Sequence, residues 1–218
     1  MEKELLLYSG GPDSTVLLKY FLQNKKNLLV LHIQMGWSLE FQHRIKFTKE
    51  RVDQLVKYLK NTYGEFEFMD AGIFLNLPYN QDLQFGADDQ WCAFIAALVC
   101  RIHNIKKIWH ASFSYNWKNR QDFNKEPPIW LLHKNMINYL RAAYLGDPGP
   151  LKFLIPKTFY EGKEIDSFKT KKEAWDWLEP ELKKLVVSCE NNLDFCGKCY
   201  KCTTYIQQKI KNEKGEII

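Results

Sequence analysis

The chain has 218 residues, 45% apolar and 26% charged, with a formal charge of +5. That balance excludes an intrinsically disordered chain, and no stretch reaches the roughly 18 consecutive apolar residues of a membrane helix. The mild positive charge suits anionic small ligands, but without a clustered patch it does not argue for a nucleic-acid groove.

Glu4 to Tyr8 reads as a buried first strand, and Ser14 to Gln23 as a helix with Val16, Leu17, Tyr20 and Phe21 on one face. Between them lies Tyr8-Ser9-Gly10-Gly11-Pro12-Asp13-Ser14-Thr15. Two glycines allow a sharp turn and close approach of a ligand to the main chain, and Asp13 or Ser14 is the expected N-cap. A helix start with unpaired N–H groups and a positive dipole end is an anion site, with phosphate or pyrophosphate its natural guest. Asp13 is placed to hold a magnesium ion beside it. An ordinary capped strand-to-helix turn accounts for the same residues.

Leu28 to Gln34 is a second strand, apolar throughout as in a parallel sheet. Gln42 to Thr62 is an amphipathic helix with Val52, Leu55, Val56 and Leu59 at helical spacing. Glu65 to Asp70 is the third strand, Asp88 to Ile102 a buried helix, Lys106 to Ala111 the fourth strand and Leu151 to Ile155 a short fifth. Ser112 to Pro128 is a polar, aromatic loop of the length that more often carries function. Ile129 to Leu145, a helix ending near Leu178 and a short helix from Pro180 to Val186 complete the reading. Alternating strands and helices predict an α/β fold with an open, doubly wound parallel sheet. Residues 1–155 form the nucleotide-binding unit and 156–218 a helical segment packed on it as one unit.

Cys189, Cys196, Cys199 and Cys202 fall within 14 residues, with Gly197 inside the tight core. Four thiolates at that spacing suit a closed, structural zinc site. An iron–sulfur cluster takes the same donors; zinc is favoured because Thr203, not proline, follows the last cysteine. Cys92 and Cys100 lie on the Ala-rich helix and read as core residues. The N-terminus lacks the layout of a signal peptide, so a cytoplasmic location and reduced thiols are expected.

Ser9-Gly10-Gly11-Pro12-Asp13-Ser14 resembles the SGGxDS pyrophosphate loop of the PP-loop ATP pyrophosphatases, whose sheet is of the adenine nucleotide alpha hydrolase type. That superfamily includes tRNA thiolases and 7-cyano-7-deazaguanine synthase. The C-terminal Cys189 followed by Cys196-Gly197-x-Cys199-x-x-Cys202 is similar to the 7-cyano-7-deazaguanine synthase family. The resemblance covers both ends of the chain and departs in the middle. The family's VPGRN-like segment stands here as Gln84-Phe85-Gly86-Ala87-Asp88-Asp89-Gln90-Trp91, and Met35-Gly36-Trp37 replaces its Tyr-Gly-Gln.

The resemblance implies ATP-dependent adenylation of 7-carboxy-7-deazaguanine and its amidation by ammonia, followed by dehydration to the nitrile. It implies ATP, Mg2+ and Zn2+ as cofactors and a homodimer. Tyr8 to Thr15, with His32 and Gln34, would bind the nucleotide; Ser9, Asp13, Ser14 and Arg120 are the catalytic candidates. Phe85, Asp88, Trp91, Tyr115 and Asp122 are the substrate-binding candidates, and Cys189, Cys196, Cys199 and Cys202 the metal ligands. Lys118 and Lys134 are further candidate cations, Trp37 a stacking candidate and His110 a core histidine. The divergent middle keeps two alternatives open. One is a member that stops at the amide, or that transfers the activated base to another amine in phage DNA modification or antiviral defence, with a protein partner. The other is a tRNA-thiolating relative. Nucleic acid as a direct ligand and a membrane are not expected.

Overall fold

The computed structural model describes residues 2–36, 42–74, 92, 94–111, 138, 152–154, 176–186 and 198. Among them run β1 (Glu4–Leu7), α1 (Pro12–Gln23), β2 (Leu28–Gly36), α2 (Gln42–Tyr63), β3 (Glu67–Phe74), a helix α3 over 94–102, β4 (Lys107–His110), β5 (Lys152–Leu154) and α4 (Pro180–Leu185). The expected strand boundaries shift by one to four residues. The largest change is at β3, which continues past Asp70 to Phe74 because it pairs with β2 along its whole length.

The strands form one five-stranded sheet in the order β3-β2-β1-β4-β5, with every pair parallel. Parallel neighbours require crossover connections, which place helices on the faces. Strand periodicity assigns the two sides. Leu6 and Val30 face α1 and α2, where they pack with Val16, Leu17, Phe21, Val52, Leu55 and Leu59. Leu5, Leu7, Leu29 and Leu31 face the other way, against Ala96, Ala97 and Cys100 of α3. The sheet is therefore covered on both faces, as the continuous apolar strands predicted. No helix among the described residues is long and apolar enough to cross a membrane.

The order makes β1 the pivot. The chain winds outward through β2 and β3, then returns to lay β4 on the opposite side of β1, so the switch point lies between the carboxyl ends of β1 and β4. In open α/β sheets that crevice is where ligands bind.

Two polar clusters tie the elements together away from the switch point. At the amino edge of the sheet, Glu4 is buried and accepts hydrogen bonds from Lys26 (3.1 Å), Lys107 (3.2 Å) and the Trp109 indole (2.5 Å). Burial raises the Glu4 carboxyl, but the three donors outweigh it and the net shift is downward. On the α1 side, Lys19 is buried and lies 2.9 Å from the Glu179 carboxylate. It also donates to the Trp177 carbonyl at 2.8 Å and sits 3.8 Å from the centre of the Trp177 ring. Tyr63 of α2 donates to the same Glu179. Leu178, Leu182 and Val186 join the apolar cluster beneath, so residues 177–186 pack against α1 and α2.

Candidate functional site

The Ser9–Ser14 turn occupies the switch point, immediately after β1. The helix begins earlier than the sequence predicts. Gly11 is the N-cap, Pro12 opens the helix, and neither Asp13 nor Ser14 serves as the cap. Proline is at home in the first helical position because it has no N–H to leave unsatisfied and its φ is already helical. Ser14 knots the turn instead. Its hydroxyl donates to the Gly11 carbonyl at 3.2 Å, accepts the Ser9 N–H at 3.3 Å, and lies 3.1 Å from the Ser9 hydroxyl. Each hydroxyl has one hydrogen, so Ser9 Oγ must donate to Ser14 Oγ. The Gly11 N–H donates back to Ser9 Oγ at 3.3 Å and closes the ring. Ser14 is buried while Ser9 is exposed at the crest.

Gly10 is needed for two reasons. Its φ of +72° lies in the left-handed region, and a Cβ there would sit 2.7 Å from Val52 Cγ2. The expected room for a ligand at Gly10 is therefore taken by α2, which presses against the turn from behind. Gly11 is the glycine that faces outward, where an added Cβ would meet only Ser9 Oγ at 3.3 Å. Asp13 sits in the first turn of α1, where a carboxylate is favoured by the helix dipole. Tyr8 and Thr15 brace the base of the turn through a buried hydroxyl pair at 3.1 Å, and burial pushes the Tyr8 phenol above its ordinary range.

Beside the turn, the β1–β2 ladder ends at Leu7–Leu31, with the Tyr8 N–H still donating to Leu31 O at 2.8 Å. The Tyr8 carbonyl is bonded to the His32 imidazole, Nδ1 to O at 2.8 Å. A carbonyl only accepts, so Nδ1 carries the proton. Nε2 of His32 is buried and has no hydrogen-bond partner among the described residues. Burial lowers the His32 pKa and outweighs the hydrogen bond to the Tyr8 carbonyl, which raises it, with Asp70, Lys49 and Asp53 contributing smaller electrostatic effects.

Gln34 is committed sideways. Its amide nitrogen lies 2.9 and 2.7 Å from the two oxygens of Asp70, which also accepts from Lys49 at 2.8 Å. A carboxylate only accepts, which fixes the orientation of the Gln34 amide. Lys49 also pairs with Asp53 at 3.2 Å. The sequence reading named His32 and Gln34 but missed Asp70 and Lys49. The available signal was an acid on β3 in register with His32.

His110 ends β4 opposite Leu7, at the other wall of the switch point. Burial lowers its pKa as well. Cys100 is buried on α3 and its thiol is pushed up to about 12, which makes it the inert core residue expected. Trp37, Phe85, Asp88, Trp91, Tyr115, Lys118, Arg120, Asp122, Lys134 and the four clustered cysteines lie outside the described residues, as does the boundary at 155. Among the described residues no group of three or more His, Cys, Asp or Glu side chains is arranged for a metal ion.

The sequence matches no protein-family model and no curated protein. Among solved structures the chain is similar to a predicted subunit of tRNA methyltransferase from Methanocaldococcus jannaschii. Identity is 12%, covering 100% of this chain and 91% of that one, with a TM-score of 0.41. It is also similar to a 4-thiouridine synthetase in complex with RNA and bound ATP, at 14% identity and a TM-score of 0.47, spanning 97% of this chain but 50% of that one. Likeness this distant assigns neither chemistry nor substrate.

Proposed function

We propose that this chain is a PP-loop ATP pyrophosphatase that activates a carboxylate by adenylation. The observation that carries the reading is the knotted Ser9–Ser14 turn at the switch point, backed by a helix start. The same six residues carry the sequence resemblance to the pyrophosphate loop. In this reading the phosphates of ATP lie over the turn, between the exposed Ser9 and the amides that a helix start leaves without intrahelical partners. Asp13 supplies oxygen donors of the kind magnesium takes, and the bound ion would neutralise charge on the departing pyrophosphate. The protein contributes position and electrostatics: the ring of Ser9, Gly11 and Ser14 hydrogen bonds presets the turn before any ligand arrives.

The substrate proposed is 7-carboxy-7-deazaguanine. Its carboxylate attacks the α-phosphorus in line, expelling pyrophosphate, and ammonia then displaces AMP to give the amide. A second ATP activates the amide oxygen, whose departure with AMP leaves the nitrile. Arg120 and the Phe85, Asp88, Trp91, Tyr115 and Asp122 set belong to this proposal as the residues that hold the reacting groups. Zinc on Cys189, Cys196, Cys199 and Cys202 belongs to it as a structural ion, and a homodimer as the working assembly. The departure of Gln84–Trp91 from the family pattern favours a second reading, in which the reaction stops at the amide or uses another amine.

Mass spectrometry after incubation with 7-carboxy-7-deazaguanine, ATP, Mg2+ and ammonium separates these readings. The expected result is conversion to the amide or nitrile with AMP and pyrophosphate released in step. Release of AMP with the deazaguanine untouched refutes the substrate, and no AMP with any carboxylate tried refutes the enzyme.

A further inference from the structure

We infer that His32 is a positioning residue for the Ser9–Ser14 turn: its Nδ1–H clamps the Tyr8 carbonyl where β1 leaves the sheet, and so aims the turn that follows. This rests on the reading of the turn as a phosphate site. The strand ladder accounts for the geometry. Up to Leu7 the backbone of β1 is held by β2 on one side and β4 on the other, and on the β2 side the Tyr8 N–H still finds Leu31 O. Beyond that point β2 runs on to Gly36 beside β3, while β1 turns away into Ser9 and Gly10. The last carbonyl before the turn is then left at a fork between two diverging chains. Within the interior a carbonyl without a donor is costly, and the His32 side chain supplies the donor that the backbone ladder no longer does.

The clamp is stiff because its surroundings are saturated. His32 is 2% exposed. Among the described residues the charged groups that face it are Asp70 of β3 and Lys49 and Asp53 of α2, already bonded to one another or to Gln34. From the residue that follows β1, Tyr8, the hydroxyl is occupied by Thr15. Tyr8 is thus fixed at both its carbonyl and its phenol, one residue before Ser9. A side chain that only filled space would not need the donor; a positioning side chain does.

The two ideas separate in a pair of variants. Asparagine can offer its amide N–H near the place of Nδ1–H, whereas leucine fills comparable space with no donor. Binding of Mg-ATP and of inorganic pyrophosphate to the wild type, His32→Asn and His32→Leu is measured by calorimetry. Long-range nitrogen NMR of the wild-type ring reports the tautomer. The expected result is an Nδ1–H tautomer, an affinity loss of about tenfold for both ligands in His32→Leu, and affinity within about threefold of wild type in His32→Asn. An Nε2–H tautomer, unchanged affinity in His32→Leu, or equal losses in both variants overturns the inference. If His32→Leu does not fold, full loss in a folded His32→Asn overturns it and retained affinity supports it. If the wild type binds neither ligand, it is the phosphate reading of the turn that fails, and the inference with it.

Discussion

The two ends of the central strand spend their polar groups differently. At the amino end of β1, Glu4 is surrounded by Lys26, Lys107 and Trp109 and gives its carboxylate to all three. At the carboxyl end, three residues and one turn later, His32 keeps a buried ring nitrogen without a partner among the described residues, and Ser9 stands exposed above a helix start. Saturated polar clusters hold a fold together. Groups held in fixed geometry but left with unused capacity are what a ligand site requires. The same strand thus has a fastening end and a working end. They are separable because substitutions distant from one another, with no shared partners, act independently.

That separation can be broken experimentally. The largest effect is expected at the working end from Gly10→Ala. A positive φ and a 2.7 Å contact with Val52 Cγ2 act together there, costing about 2–4 kcal/mol and displacing the turn. Urea unfolding should show the loss, and pyrophosphate binding should fall far more than stability alone explains. Normal binding in a folded Gly10→Ala would show that the turn is not the site. At the fastening end, Glu4→Ala strands two lysines and an indole donor, and should cost about 2–3 kcal/mol. Its affinity for pyrophosphate should match the wild type at temperatures where both are folded; a large change would mean that the two ends are coupled.

The smallest effect is in pH. Burial lowers the folded-state pKa of His32 and His110 below the ordinary value of 6.5. The unfolded chain then takes up protons that the folded one refuses, so stability is intact above about pH 6.5 and declines as pH falls through it. The slope approaches about 1.4 kcal/mol per pH unit for each histidine. Glu4 and Glu179, whose pKa values are lowered from 4.5, add their losses only below that value. Urea midpoints between pH 7 and 5 should fall, and His32→Asn should remove about half of the slope. A flat profile would mean that neither ring is held neutral.

Much of the working end was legible in the sequence, for local reasons. Gly10, Gly11 and Pro12 have few backbone options, so a turn between an apolar strand and a helix could be read directly. The parallel sheet was legible too, because strands covered on both faces, such as Leu5–Leu7 and Leu28–Leu31, must be apolar throughout. The N-cap was misread because Asp13 and Ser14 are good caps in isolation. Ser14 is drawn instead into a ring with Ser9, a contact that exists only once the turn has closed. Space at Gly10 was misread for a similar reason. Val52 lies 42 positions away, and no local pattern announces that its methyl will press on that glycine. The partners of Gln34 and Lys19 were out of reach on the same ground, being set by register and long-range packing.

Lys19 has a consequence for any attempt to dissect the chain. Its ammonium is buried and is neutralised from Glu179, 160 positions further on, with Trp177 supplying a carbonyl and a ring face. A fragment that keeps the five strands but ends before Trp177 would inherit a buried cation and lose what compensates it, a more damaging loss than missing surface area. Residues 177–186 are therefore the minimum C-terminal cargo of a well-folded fragment, whatever lies beyond them. Lys19→Met is the substitution that would make a shorter one tolerable.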